Sequence, residues 1–392
     1  MYSYPEIDWD GLRKHRTDRV AQVMRDANVD ALVLMGHDNI RYATDFGVYL
    51  ICEAYDWFAA IVTPEGEASL YIPYVDRVVD KPMPALPWIT EYVPTPSWVS
   101  SITQAEIWVD ILSRKLRSLG ARRVGVDAMP FQLWDGMKQM MSEAMFLDAY
   151  MPLALARQVK HPEEIRLVRS SAEIASAGGE SGLEAMREGA LDFEVLSAID
   201  GTMRAQGAEF ITHNVCINGE SQLTAGWFPR GSRLQAGATM AFDWGCYVKG
   251  GYGSDMCRTG FVGEPPGPVQ KAWKVLMEAH RTTEAEARPG VRASHLDRTV
   301  NDLLAKSGYP TTPYSLGHGV GLRACELPII YRPDMMAVDA ELEEGMVICL
   351  EPETSVEVGG ETVVVKVEDM YEVTATGLEQ LTTTGYTPYW DD

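Results

Sequence analysis

Apolar positions in the first half of the chain switch repeatedly between helical and extended spacing. From Trp9 to Asn28, Leu12, Val20, Val23 and Met24 recur at helix-compatible intervals. The run Ala31-Leu-Val-Leu-Met35 is short and apolar throughout, which predicts a buried strand. Trp57-Phe-Ala-Ala-Ile-Val62 predicts another, ending in a turn at Thr63-Pro-Glu-Gly66, with Ser69 to Pro73 as hairpin partner. A Pro-rich loop follows from Lys81 to Pro87, and Val124-Gly-Val126 reads as a further strand. This half has the pattern of a small α/β domain. A boundary is expected between Arg157 and His161. Pro162 suits the first position of a helix, and Glu163 and Glu164 in its first turn complement the helix dipole. That helix is expected to reach about Met186. Others are expected over Asp192 to Gln206, Val269 to Ala287 and Ala293 to Ser307, the last closed by Gly308. The final fifty residues read as strands, Val363-Val-Val-Lys-Val367 among them. The expected organisation is therefore two α/β domains, residues 1–157 and 158–392.

Composition narrows the function classes. The 392 residues are 46% hydrophobic and 23% charged, an ordinary globular mix. No stretch approaches the ~20 apolar residues of a membrane span. The formal net charge of −22 disfavours phosphate backbones and anionic membranes as partners. Six cysteines are scattered singly, and no basic-then-apolar leader opens the chain. Both features predict a cytoplasmic protein with reduced thiols.

The chemistry lies in metal-ligand residue types set in apolar strands. Asp243 sits in Met240-Ala-Phe-Asp-Trp-Gly245, and Asp255 closes Gly250-Gly-Tyr-Gly-Ser-Asp255. His318 lies in Leu316-Gly-His-Gly-Val-Gly-Leu322. Glu351 ends Gly345-Met-Val-Ile-Cys-Leu-Glu351, and Glu368 ends Val363-Val-Val-Lys-Val-Glu368. An isolated charge in such a setting is costly, so four of them in apolar strands point to a shared partner. Four carboxylates and one imidazole suit a pair of Mn²⁺, Fe²⁺, Co²⁺ or Zn²⁺ ions.

These segments resemble the creatinase, prolidase and aminopeptidase P superfamily. The shared motifs are Asp243-Trp-Gly245, Gly251-Tyr-Gly-Ser-Asp255 with Arg258-Thr259, Gly317 to Leu322, Gly345 to Pro352 and Glu368-Asp369. Further matches are Asp38-Asn-Ile-Arg-Tyr42, His161-Pro-Glu-Glu-Ile165 and Pro289-Gly-Val291, so the likeness spans most of the chain. The resemblance implies a creatinase-like N-terminal domain followed by a pita-bread catalytic domain, in a homodimer. It implies Asp243, Asp255, His318, Glu351 and Glu368 as metal ligands, with Asp255 and Glu368 bridging and Glu351 able to act as general base. The implied activity is hydrolysis of a C–N bond in a small substrate or dipeptide, of the Xaa-Pro peptidase type.

Three departures qualify that reading. The two aspartates are 12 positions apart, one more than the family spacing, which predicts a longer hairpin tip or a bulge. Cys325 replaces the histidine of a His-Glu pair, and Gly226, next to Trp227, stands where a second substrate-facing histidine is usual. His213 is the nearest substitute as a catalytic proton carrier. Losing such donors predicts weak turnover of ordinary Xaa-Pro dipeptides. The superfamily also holds enzymes of small zwitterions, so the alternative is a lyase or hydrolase resembling dimethylsulfoniopropionate lyase, ectoine hydrolase or creatinase. A metal-free binding protein is a third class, disfavoured by the intact ligand set. The acidic, aromatic segment Glu53 to Trp57 agrees with a cationic substrate. Tyr55, Asp56 and Trp57, with Trp227 and Cys325, are the expected substrate contacts.

Overall fold

The computed structural model describes residues 4–47, 56–73, 86–95, 105–218 and 226–386. The chain forms two compact units, Asp8–Arg157, and Gln158–Asp392 with Met1–Ile7.

The first unit runs α1 (Trp9–Ala27), β1 (Ala31–Leu34), α2 (His37–Thr44), β2 (Ala59–Val62), β3 (Ala68–Pro73) and β4 (Ile89–Thr95). It continues α3 (Ala105–Ser118), β5 (Arg123–Val126), α4 (Phe131–Met140), β6 (Met145–Asp148) and α5 (Tyr150–Ala156). Its six strands form one sheet in the order β4-β3-β2-β1-β5-β6. β1 and β2 are buried along their full length, as their unbroken apolar runs require. The β2–β3 hairpin is antiparallel, pairing Ala59 with Tyr71 and Val62 with Ala68. Gly66, at φ 85°, closes its turn by donating its N–H to the Thr63 carbonyl. Trp57 stands just before β2, and its ring packs edge-on against Trp108 of α3 with centroids 6.0 Å apart.

The second unit opens with α6 (Pro162–Ala185), capped by a box in which His161 accepts from the Glu163 N–H and Glu164 accepts from the His161 N–H. α7 (Asp192–Gln206), β7 (Phe210–Asn218), β8 (Thr239–Tyr247), β9 (Met256–Phe261), α8 (Gly267–Glu286) and α9 (Ala293–Lys306) follow. The remainder is strand-rich: β10 (Gly317–Gly319), β11 (Glu326–Ile330), β12 (Val347–Leu350), β13 (Glu353–Val358), β14 (Glu361–Lys366), β15 (Asp369–Thr374) and β16 (Gly377–Gln380). Three sheets result, ordered β7-β8-β9, β11-β10-β12-β15-β16 and β13-β14. Trp273, Leu276, Val300 and Leu304 of α8 and α9 form a buried apolar core with Ile348, Leu350, Val365 and Val367. Among the described residues no helix is long and apolar enough to cross a membrane.

Asp297 of α9 is a local cost in this core. It is buried, its Oδ1 lacks a hydrogen-bond partner, and burial pushes its carboxyl up to about 6. A folded value above the unfolded one makes the ionised form unfavourable, so the cost is absent below the ordinary carboxylate range and complete above about 6. Asp297→Asn is therefore expected to raise the melting temperature at pH 8 and to change it little at pH 4. An equal shift at both values would show that the charge is not the cause.

Candidate metal centre

Strand alternation explains how the polar residues converge. On β8, Phe242 and Trp244 face α6, where the Trp244 indole donates to the Ala175 carbonyl at 2.8 Å. Asp243 therefore points to the opposite face. Pairing of Val215 with Asp243 and of His213 with Gly245 puts His213 diagonally beside it. The β8–β9 register runs unshifted from Thr239↔Phe261 to Trp244↔Met256 and is continued by the Tyr247↔Gly253 bridge. The extra residue between the aspartates thus sits in the hairpin tip and not in a bulge, and Asp255 still reaches the site. His318 lies mid-β10 between two glycines. A Cβ at Gly317 would meet the Cys349 carbonyl oxygen at 2.0 Å, and one at Gly319 the Leu327 oxygen at 2.1 Å. Only glycine permits this close approach. Glu351 follows β12 directly, and Glu368 joins β14 to β15.

All six groups come together. His213, Asp243 and Asp255 place ligand atoms within 4.8 Å of one another, and so do Asp255, His318 and Glu368. His318 Nε2 lies 3.7 Å from Asp255 Oδ2 and 3.5 Å from Glu351 Oε1. Those gaps suit donors that share one ion bound at ~2.0–2.2 Å. Both carboxylate oxygens of Glu368 are buried without a hydrogen-bond partner, a state that a cation relieves. Burial and the neighbouring Asp255 push the Glu368 carboxyl well above the ordinary range. At His318 burial disfavours the protonated ring, but Cys325, Glu351 and Asp255 outweigh it and raise the imidazole well above its usual value. The residues present therefore fit one divalent ion at Asp255, His318, Glu351 and Glu368.

The surroundings of Asp243 differ. Its Oδ1 is 2.7 Å from His213 Nε2, which is itself 3.1 Å from Asp255 Oδ1. Its Oδ2 is 2.5 Å from the Lys366 ammonium. Burial alone would raise the Asp243 carboxyl, but Lys366 and His213 hold it well below the usual carboxylate range. Lys366 escaped notice in the sequence, although it lies two residues before Glu368 in an apolar strand and so shares its face.

A second layer fixes these groups. Arg258 is buried and donates to Asp369 Oδ1 at 2.6 Å and to the Glu368 carbonyl at 2.8 Å. Asp369 also accepts from Thr382 at 2.7 Å and from Tyr386 at 2.8 Å. Thr259 brackets Lys366, accepting from its N–H at 2.9 Å and donating to its carbonyl at 2.7 Å. The Arg-Thr and Glu-Asp pairs of the sequence are thus the clamps on the strand that carries Glu368.

The expected substrate contacts divide. Trp227 adjoins the site, with Lys366 Nζ 5.5 Å from its ring centroid. Cys325 is exposed beside His318. Asp56 and Trp57 are corrected: both are buried within the first unit, where the Trp57 ring is core against Trp108, so neither presents a surface to a substrate. Tyr55, like the Pro-rich loop over residues 81–85, lies outside the described residues.

Residues 166–375 match the metallopeptidase family M24, and residues 16–159 match the creatinase/prolidase N-terminal domain. An Xaa-Pro dipeptidase of Pyrococcus horikoshii is 24% identical over 377 residues, covering 95% of this chain and 98% of the relative. Two solved structures share the fold. A prolidase from Thermococcus sibiricus has a TM-score of 0.81 at 22% identity, covering 96% of this chain and 99% of its own. An Xaa-Pro dipeptidase from Bacillus anthracis has a TM-score of 0.79 at 23% identity, covering 95% and 98%.

Proposed function

This chain belongs to metallopeptidase family M24, and on that premise we propose that it hydrolyses the amide bond of a small dipeptide, with Xaa-Pro dipeptides the first class to test. The family makes it a metal-dependent hydrolase with a creatinase-like domain ahead of a pita-bread domain. The observation that carries the reading is Glu368, a buried carboxylate with no hydrogen-bond partner that faces Asp255 and His318, with the Lys366 ammonium 3.3 Å from one oxygen. A lyase acting on a zwitterion gains no support from the relatives, which are named as peptidases or dipeptidases, two of them as Xaa-Pro dipeptidases.

Asp255, His318, Glu351 and Glu368 are the residues proposed to hold a divalent ion, with Mn²⁺, Fe²⁺, Co²⁺ and Zn²⁺ all compatible with the donor set. When bound, such an ion polarises an amide carbonyl and activates water. The protein supplies the rest. His318 is held mid-strand in β10, where both flanking glycines lie against neighbouring carbonyl oxygens. Its Nδ1 lies 3.1 Å from the Gly319 carbonyl, which leaves Nε2 facing Asp255 and Glu351. Glu351 turns one oxygen to His318 and the other to Lys366 at 2.9 Å, which positions it as a proton acceptor at the site. His213 has the most exposed side chain of the cluster, 26% against 12% or less, and so is placed to return a proton to a leaving amine. Trp227 and Cys325 border the space where substrate would lie, and a homodimer remains part of the proposal.

The test is hydrolysis of a panel of Xaa-Pro and other dipeptides by protein loaded separately with each metal. Turnover that vanishes on chelation and returns on reloading is expected. Undiminished turnover by metal-free protein, or turnover of no dipeptide with any metal, overturns the reading.

A further inference from the structure

We propose that the site holds one divalent ion per chain and not two, because the Lys366 ammonium occupies the position that a second ion would need. The inference rests on the metal-dependent reading above only in presuming that a divalent ion binds.

Geometry carries it. Asp243 belongs to the second position alone, and both its oxygens are taken, Oδ1 by His213 at 2.7 Å and Oδ2 by Lys366 at 2.5 Å. The same ammonium reaches Glu351 Oε2 at 2.9 Å and Glu368 Oε2 at 3.3 Å. Lys366 Nζ therefore sits among three carboxylates, paired to Asp243 of the second position and to the Oε2 oxygens of Glu351 and Glu368. The gap of 2.7 Å between His213 and Asp243 is a direct hydrogen bond.

The lysine is also built in. Its side chain is 5% exposed, so it has no open route to solvent. The rings of Trp227 and Tyr314 each lie with centroids 5.5 Å from Nζ and present their faces to the charge. Tyr314 is itself held by its hydroxyl donating to Glu353 Oε2 at 2.7 Å. Thr259 grips the Lys366 backbone on both sides, so the strand cannot carry the ammonium away.

Charge points the same way. Asp243, Asp255, Glu351 and Glu368 carry four negative charges, which two divalent ions would neutralise alone. Lys366 would then be a buried excess cation against a dication, with no partner left to it. One ion together with Lys366 sets three positive charges against four negative ones, so Lys366 keeps carboxylate partners. At Asp255, His318, Glu351 and Glu368 the opposition is partial: Lys366 reaches one oxygen each of Glu351 and Glu368, while no lysine or arginine is paired to His318 or Asp255 among the described residues, and Asp255 Oδ2 and Glu351 Oε1 still face His318.

The experiment reads stoichiometry and not turnover. The full chain is saturated with Mn²⁺, freed of loose metal by gel filtration and assayed for metal per chain, and its electron paramagnetic resonance spectrum is recorded. The expected result is one ion per chain with the six-line signal of an isolated Mn²⁺. Lys366→Met should bind a second ion and show the broadened signal of a coupled pair. Two tightly held ions in the unaltered protein overturn the proposal, and so does folded Lys366→Met that still binds one. If that variant fails to fold, the count and spectrum of the unaltered protein decide alone. No ion at all would remove the metal-dependent reading along with this one. Dipeptide hydrolysis by a two-ion protein would leave that reading standing and sink only this inference.

Discussion

Glu368→Ala is expected to lose both metal and catalysis while making the metal-free protein more stable. Its carboxylate lies among Asp255, His318 and Lys366, with the Lys366 ammonium 3.3 Å from Oε2, and neither oxygen has a hydrogen-bond partner among the described residues. Removing it takes away a ligand, so kcat/KM should fall by at least the roughly 10²–10³-fold that losing one oxyanion donor costs in other hydrolases. Stability moves the other way. Burial and Asp255 raise the Glu368 carboxyl well above its unfolded value, so ionising it in the fold is unfavourable. That penalty is absent below the ordinary carboxylate range and grows as pH rises toward the folded value. Metal-free Glu368→Ala should therefore melt above metal-free unaltered protein at pH 8, with the difference shrinking near pH 4. Added divalent metal should stabilise the unaltered protein and not the variant. A variant that keeps its metal and its activity would remove Glu368 from the site. One that melts lower at pH 8 without metal would show that its carboxylate is satisfied by something other than an ion.

The clustered polar residues were legible because charged residues stand out in strands that packing would otherwise fill with apolar ones. Asp243 stands out between Phe242 and Trp244, and His318 between glycines whose Cβ positions are filled by carbonyl oxygens. Lys366 was equally visible, two residues before Glu368, yet a lysine on a strand is ordinarily read as its solvated face. His213 was legible only as a candidate. Its place depends on pairing β7 with β8 across twenty intervening residues, and the 2.7 Å contact with Asp243 follows from that register. The Trp57 reading failed for a similar reason. An acidic and aromatic segment looks like a recognition loop until a partner 51 positions later, Trp108, claims the ring for the core. Local sequence carries residue chemistry well and strand register poorly, since one step of slip reverses which face each side chain takes.

Asp369→Ala is expected to destabilise the second unit by about 3–5 kcal/mol, the cost of breaking one side of a buried ion pair. The side chains of Arg258 and Asp369 are 1% and 0% exposed and meet at 2.6 Å. Without the carboxylate, the guanidinium keeps its bonds to the Cys257, Glu368 and Thr384 carbonyls but loses its only ion-pair partner among the described residues. Tyr386 and Thr382 lose an acceptor together with it. A fall of about 10 °C in melting temperature follows for a unit of this size. The pH dependence has a definite sign. Burial opposes the charged form of Asp369, but Arg258 and His280 hold the carboxyl well below its unfolded value. Its stabilisation is thus complete above the ordinary carboxylate range and is lost as pH falls toward the folded value. The deficit of the variant should be full at pH 7 and should narrow in acid. Asp369→Asn, which keeps an acceptor but not the charge, should fall between the two. Because Arg258 also holds the Glu368 carbonyl, metal affinity should drop in both variants, by roughly the 10–100-fold typical of losing a group that orients a ligand. Loss of stability with metal affinity untouched would show that Arg258 and Asp369 only brace the fold and do not position Glu368.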